Sequence, residues 1–147
     1  MLIRKLIFYI SVVTVCLLIV SCAASRKSHL EVQYKEIYLD QFKLTYFRRL
    51  LANSYNYSET VSALIRADRS GFAEPVLTEE DERFIDSLTT VDNQFLIADS
   101  TLSRHRAEGA QGKRPLGYIL QKFSGNSIDK LAKQRFKING VPAYWTE

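Results

Sequence analysis

From Leu30 to Tyr57 the chain runs for 28 residues without a glycine or proline, and no other stretch restricts the fold so strongly. Tyr, Phe and Leu recur through it at intervals that suit a helix of 3.6 residues per turn. On a helical wheel Leu30, Tyr34, Ile37, Leu44, Leu51 and Tyr55 share one stripe. Leu39, Phe42, Tyr46, Leu50 and Tyr57 form a second stripe on a different side. A helix that is apolar on two sides is either central in its own domain or buries one stripe against a partner.

The rest of the body repeats the helical pattern in shorter pieces. Ser58 is placed to cap a helix whose inner face holds Val61, Leu64 and Ile65, with Gly71 as its stop. Residues 72–77 form a connector in which Pro75 forbids a helix. Thr78-Glu79-Glu80-Asp81 reads as the next helix start, a capping hydroxyl followed by acids at the positive end of the dipole. Phe84, Leu88, Val91 and Phe95 then follow at spacings of 4, 3 and 4, widened by Ile85, Leu96 and Leu102, which predicts one long helix to about Arg106. Thr89-Thr90 and Asp92-Asn93 are weak helix formers that could bend it. Residues 108–115 form a polar loop, and Leu116 to Phe123 another short helix stopped by Ser124-Gly125-Asn126. Ser127 is placed to cap a last amphipathic helix through Leu131 and Phe136. From Asn139 a tail follows, whose Tyr144 and Trp145 are expected to fold back onto the body. The expectation is an all-α, compact bundle of about five helices, with a helical domain over 30–138 and a C-terminal tail over 139–147.

The N-terminus has a different character. Met1 to Lys5 is basic, and Leu6 to Val20 is an apolar run of about 15 residues, short of the roughly 20 that span a bilayer but of signal-peptide length. The run closes on Ile19-Val20-Ser21-Cys22-Ala23, which resembles the bacterial lipoprotein box. That resemblance implies a signal peptide over 1–21, a lipid on the Cys22 thiol, and a tether over 22–29. More than one acyl chain suffices for stable anchoring. An uncleaved anchor helix containing Cys22 is the competing reading. Either way the body sits in the bacterial envelope, lipid-anchored or helix-anchored and facing the periplasm.

Removing 21 of 147 residues leaves 126, enough for one domain with a real core. Arg4 and Lys5 leave with the segment and lower the net charge from +4 to +2. So slight a balance excludes a strongly basic nucleic-acid binder. Cys16 and Cys22 are the only cysteines, so the body offers no disulfide, thiolate nucleophile or Cys metal site.

Catalysis requires a nucleophile with a base, a metal site, or paired carboxylates in a pocket. His29 lies in the tether, and His105 is flanked by Arg104 and Arg106 as at a solvated helix end. Asp68-Arg69-Ser70-Gly71 matches the aspartic-protease signature only loosely and has no second copy. Gly109 to Arg114 fails the spacing of a phosphate loop. The acids Glu79 to Glu82 are better explained as a helix start than as a metal or partner site. The sequence points away from an enzyme and implies no cofactor and no metal.

Four stretches taken in order carry a family resemblance: Phe42-Lys43-Leu44-Thr45 to Tyr55, Phe84-Ile85-Asp86-Ser87-Leu88, the glycine-bearing loop leading to Leu116 to Phe123, and Ser127-Ile128-Asp129-Lys130-Leu131-Ala132-Lys133. Over about residues 35–137 the chain resembles the amidase immunity proteins of type VI secretion. Where those proteins carry cysteines in the first and penultimate helices, this chain has Phe47 or its neighbours and Ile119-Leu120, so apolar packing replaces any bridge. The resemblance implies an exported all-helical homodimer that plugs the cleft of a secreted peptidoglycan amidase. It suggests the stripe through Leu39, Phe42, Tyr46 and Leu50 as a dimer face. For the cleft it suggests the loop with Glu108, Gly109, Gln111, Gly112, Lys113 and Arg114, with glycines for close approach and charges for pairing. The alternative surface is Glu74, Glu79 and Glu80, suited to a basic cleft rim. Each loop could equally be an ordinary solvated connector. The rival function is a lipoprotein adaptor or scaffold of an envelope complex.

Overall fold

A computed structural model describes the backbone of residues 2–71, 73–102 and 112–145, with side chains from residue 28 onward except that of Leu102. Five α-helices are present and no strand among the described residues, so the fold is all-α. They are α1 Leu2–Ser54, α2 Glu59–Ala67, α3 Glu79–Leu102, α4 Pro115–Ser124 and α5 Ser127–Asn139, followed by a single 3-10 turn, Ala143–Trp145. The segment expected to be a tether, 22–29, is helical and continuous with the rest of α1. Ala, Arg and Lys are good helix formers, and nothing in that segment interrupts the backbone hydrogen bonds. Cys22 lies in it, and its side chain is outside the described residues, as is the apolar run before it. Among the described residues no helix is long and apolar enough to cross a membrane.

The chain forms two compact units, Met1–Glu36 with Val141–Glu147, and Ile37–Gly140. In the first, the Trp145 ring packs 5.1 Å from that of Tyr34, and its indole Nε1 donates to the Leu30 carbonyl. Trp145 thus folds onto α1 as expected, whereas Tyr144 is exposed.

The second unit is organised around α1. Tyr38, Phe42, Tyr46 and Leu50 are all fully buried, each four residues after the last. Four residues at 3.6 per turn advance the row by about 40° per step, so it winds around the helix instead of running down one side. Successive rungs therefore meet different neighbours. Tyr38 packs on Phe136 of α5 (5.3 Å), Phe42 on Phe84 of α3 (6.3 Å), and Tyr46 on Phe123 of α4 (6.3 Å). Each such fully buried side chain contributes about 1.5–3 kcal/mol against its exposed state.

This burial corrects one expectation. Leu39, Phe42, Tyr46 and Leu50 lie inside the chain's own core, at most 9% exposed, and cannot form a dimer face. From the other stripe, Ile37 and Leu44 line a surface groove of about 560 Å³ together with Phe47 and Phe123.

Helix ends follow sequence chemistry in part. The Ser58 hydroxyl caps α2 through the Val61 amide. Thr78 and Asp81 form a reciprocal cap on α3, the Asp81 amide donating to Thr78 Oγ1 and the Thr78 amide to Asp81 Oδ2. Two ends differ from expectation. The α2 helix stops at Ala67 with Asp68 as C-cap, before Gly71 is reached. Asn126, in a left-handed conformation, precedes α5, and Ser127 instead bonds its hydroxyl to the Lys122 carbonyl. The Thr89 and Thr90 hydroxyls both bond to the Asp86 carbonyl within an unbroken α3.

Candidate interaction face

The inner face of α3 is not its most apolar one. Asp81, Ile85, Thr89, Asp92 and Leu96 are the buried positions, and three of the five are polar. The apolar stripe of Phe84, Leu88, Val91 and Phe95 is displaced by about one residue, so its far end emerges from the core. Val91 is 61% and Phe95 57% exposed.

Asp92 explains the displacement. Its Oδ2 accepts from the Tyr46 hydroxyl (2.8 Å), and its Oδ1 from the Tyr118 hydroxyl (2.6 Å) and Lys122 Nζ (3.0 Å). Three helices therefore converge on one carboxylate, and a buried charge needs such satisfaction. Lys122 Nζ also lies 5.1 Å over the Tyr118 ring. Burial, followed by the bond to Asp92, pushes both the Tyr46 and the Tyr118 hydroxyl upward. Burial alone would lower the Lys122 ammonium, but its bonds to Tyr118 and Asp92 prevail and hold it raised. All three donors keep their protons at neutral pH. The cluster is a structural hub that ties α1 and α4 to α3 through Asp92.

The hub props up the surface above it. With its hydroxyl fixed to Asp92, Tyr118 presents its ring to Phe95 at 5.6 Å. A shallow groove of about 380 Å³ on one side is lined by Phe95, Leu96, Asp99, Arg114, Gly117, Tyr118 and Gln121. A second, of about 440 Å³, shares Phe95, Tyr118 and Gln121 and continues to Lys122, Gly125 and Ser127. Leu116 and Leu120 add exposed apolar area on α4. Gly117 has nothing within 4 Å of where a Cβ would stand, so the groove is open there. The result is an aromatic ridge between shallow hollows, rimmed by charge.

The loop residues expected to bind a partner meet this face in part. Glu108, Gly109 and Gln111 lie outside the described residues. Gly112 is exposed, Lys113 Nζ reaches Asn93 Oδ1 at 3.4 Å, and Arg114 occupies the N-cap position of α4, with no side-chain capping bond, at the edge of the first groove. The alternative surface is separate. Glu79 and Glu80 are exposed on the first turn of α3, loosely paired with Arg83 (3.8 Å) and Arg135 (3.9 Å), while Glu74 lines a small hollow of about 220 Å³. The acid that matters in that run is Asp81, which is fully buried and also accepts from Arg135 Nε (3.0 Å) and Asn139 Nδ2 (2.7 Å). Asp68 and Ser70 form a closed turn with Arg48. The Ser70 hydroxyl and then the Arg48 guanidinium pull the Asp68 carboxyl down to about 2, a structural use of the segment. His105 lies outside the described residues, and no group of three metal-ligating side chains occurs among the described ones.

Phe95, Tyr118 and Gly117 were missed as a site in the sequence because Phe95 read as core. Comparison with protein-family models, with curated proteins and with solved structures finds no match.

Proposed function

We propose that the protein is an envelope-anchored binding protein whose α3–α4 face obstructs the cleft of another protein. Following the sequence resemblance, the partner is a secreted peptidoglycan amidase and the protein confers immunity to it. The observation that carries the reading is the displacement of α3's apolar stripe. Phe95 and Val91 stand in water although their helix had the means to bury them, and large apolar side chains left exposed together mark interaction surfaces. The aromatic ridge of Phe95 on Tyr118, flanked by Arg114, has the composition of an interface hot spot. Fixing Tyr118 through Asp92 reduces the ordering cost of binding. The lipoprotein box at Cys22 supports location in the compartment where such an amidase would arrive.

The test is co-elution on size exclusion of the purified protein with the product of the gene adjacent to its own. Wild type is expected to form a complex and Phe95→Asp to lose it while keeping its helical circular dichroism. A complex that survives Phe95→Asp unchanged removes this face from the account.

A further inference from the structure

Residues 28–36, which belong to α1 and to the first unit, form an arm with little to bury. Most of its side chains are exposed, Val32 at 55% among them, and only Leu30 and Tyr34 turn inward. Trp145 engages both. Its ring packs 5.1 Å from that of Tyr34, and its indole Nε1 donates to the Leu30 carbonyl at 3.1 Å. A carbonyl has two lone pairs, so this bond is compatible with the helix's own bond at Leu30. Local chemistry prepares the tail for the contact. Gly140 closes α5 at φ 69°, ψ −163°, a conformation almost confined to glycine. Pro142 then restricts the backbone, and its carbonyl accepts from the Trp145 amide at 3.0 Å within the 3-10 turn that carries the ring. Beyond Glu36 the helix is held differently, because Tyr38, Phe42, Tyr46 and Leu50 lock it into the core of the second unit. Most helical stability in proteins comes from packing an apolar face. Along 28–36 both inward residues meet the same tryptophan, and segments with so few buried side chains open before the rest.

We propose that the C-terminal tail is a releasable strap on this arm: with Trp145 seated, residues 28–36 stay helical, and with it withdrawn they unwind. As a helix the segment spans about 14 Å, and extended it reaches about 30 Å, so one seat controls roughly a twofold change in length. The arm lies in sequence between the lipoprotein box and the second unit. For a chain held at Cys22, the strap therefore sets how far the folded body reaches from its anchor. That consequence rests on the proposed anchorage. The strap itself stands on the Trp145 contacts and is independent of the α3–α4 face and of the partner proposed for it.

Trp145 is the chain's one tryptophan, so its fluorescence reports the seat directly. In a urea titration of the full chain in mild detergent, its emission is expected to shift red at a lower midpoint than the main loss of helical circular dichroism. Coincident transitions would mean that the tail lets go only when the whole fold does, and would overturn the proposal. Amide hydrogen exchange of the full chain and three variants gives the second readout. Trp145→Ala is expected to speed exchange across 30–36 by at least about tenfold, and Trp145→Phe, which keeps a ring but no donor, by about threefold. Tyr144→Ala, at an exposed neighbour, is expected to leave the arm unchanged. Exchange across 38–50 is expected to be the same in all four proteins, as the second unit stays folded. Full protection of 30–36 in Trp145→Ala, or equal acceleration across 30–36 and 38–50, would overturn the assignment. Both readouts report the strap whether or not Cys22 carries lipid, so its failure is distinct from failure of the anchor.

Discussion

The Tyr118 hydroxyl donates to Asp92 Oδ1 over 2.6 Å, and this bond ties the outer surface of α4 to a carboxylate buried in the middle of α3. The ring that meets Phe95 and the hydroxyl that holds the fold belong to the same side chain. At Tyr118, stability and binding can therefore be separated only by substitutions that treat the two ends differently.

Asp92→Ala would leave Tyr46, Tyr118 and Lys122 without their shared acceptor. It is expected to cost about 2–3 kcal/mol in urea unfolding, more than Tyr118→Phe at about 1 kcal/mol, because it strands three donors instead of one. Tyr118→Phe keeps the ring against Phe95, so its effect on complex formation is expected to be the smaller one.

Asp81 makes stability depend on acid. Burial drives its carboxyl upward, but hydrogen bonds from Arg135 and Thr78 outweigh burial and hold it below the ordinary range. A carboxyl lowered in the folded state stabilises above its unfolded value of about 3.9, and that contribution is lost as pH falls through the folded value. The urea midpoint of wild type is expected to hold near neutrality and drop below about pH 4. Asp81→Asn is expected to start lower and to fall less steeply over the same window.

Lys122 acts at the other extreme. Its folded value is raised, so its pairing with Asp92 stabilises fully below the unfolded value of about 10.4 and is lost as pH rises through the folded one. Replacement by Met is expected to lower the urea midpoint at pH 8 and to remove part of the alkaline decline.

Gly117 separates folding from function. A Cβ there meets open space and the position lies within α4, so Gly117→Ala is expected to raise stability by about 0.5–1 kcal/mol. Gly117→Phe fills the hollow beside Phe95 and is expected to abolish complex formation with native helical content. Thermal unfolding and size exclusion read the two effects independently.

Much of the fold was legible because helices announce themselves locally. Ser58 and Thr78 cap the helices expected of them, and the five helices fall where periodicity places them, except that α1 starts well before Leu30 and includes the segment expected as a tether. The core was less legible. Tyr38 entered neither wheel stripe of α1, yet it heads the row that Phe42, Tyr46 and Leu50 continue. A fixed wheel sorts residues into straight stripes, whereas a four-residue row drifts and needs a different neighbour at every rung. The inner face of α3 was hidden for another reason. Asp92 is polar, and its partners Tyr46, Tyr118 and Lys122 lie 26 or more positions away, while the Thr89 hydroxyl turns back onto the Asp86 carbonyl, so no local pattern could mark either residue as buried. Phe95 was taken for core by the same error, and it is the centre of the candidate site.

The most direct test of the account is to purify the product of the gene adjacent to this chain's own and assay it on peptidoglycan with increasing amounts of the protein. Activity is expected to titrate to zero at stoichiometric wild type and to persist with the Gly117→Phe variant. An amidase that keeps its full rate in excess wild-type protein would contradict the claim that this bundle works by obstruction.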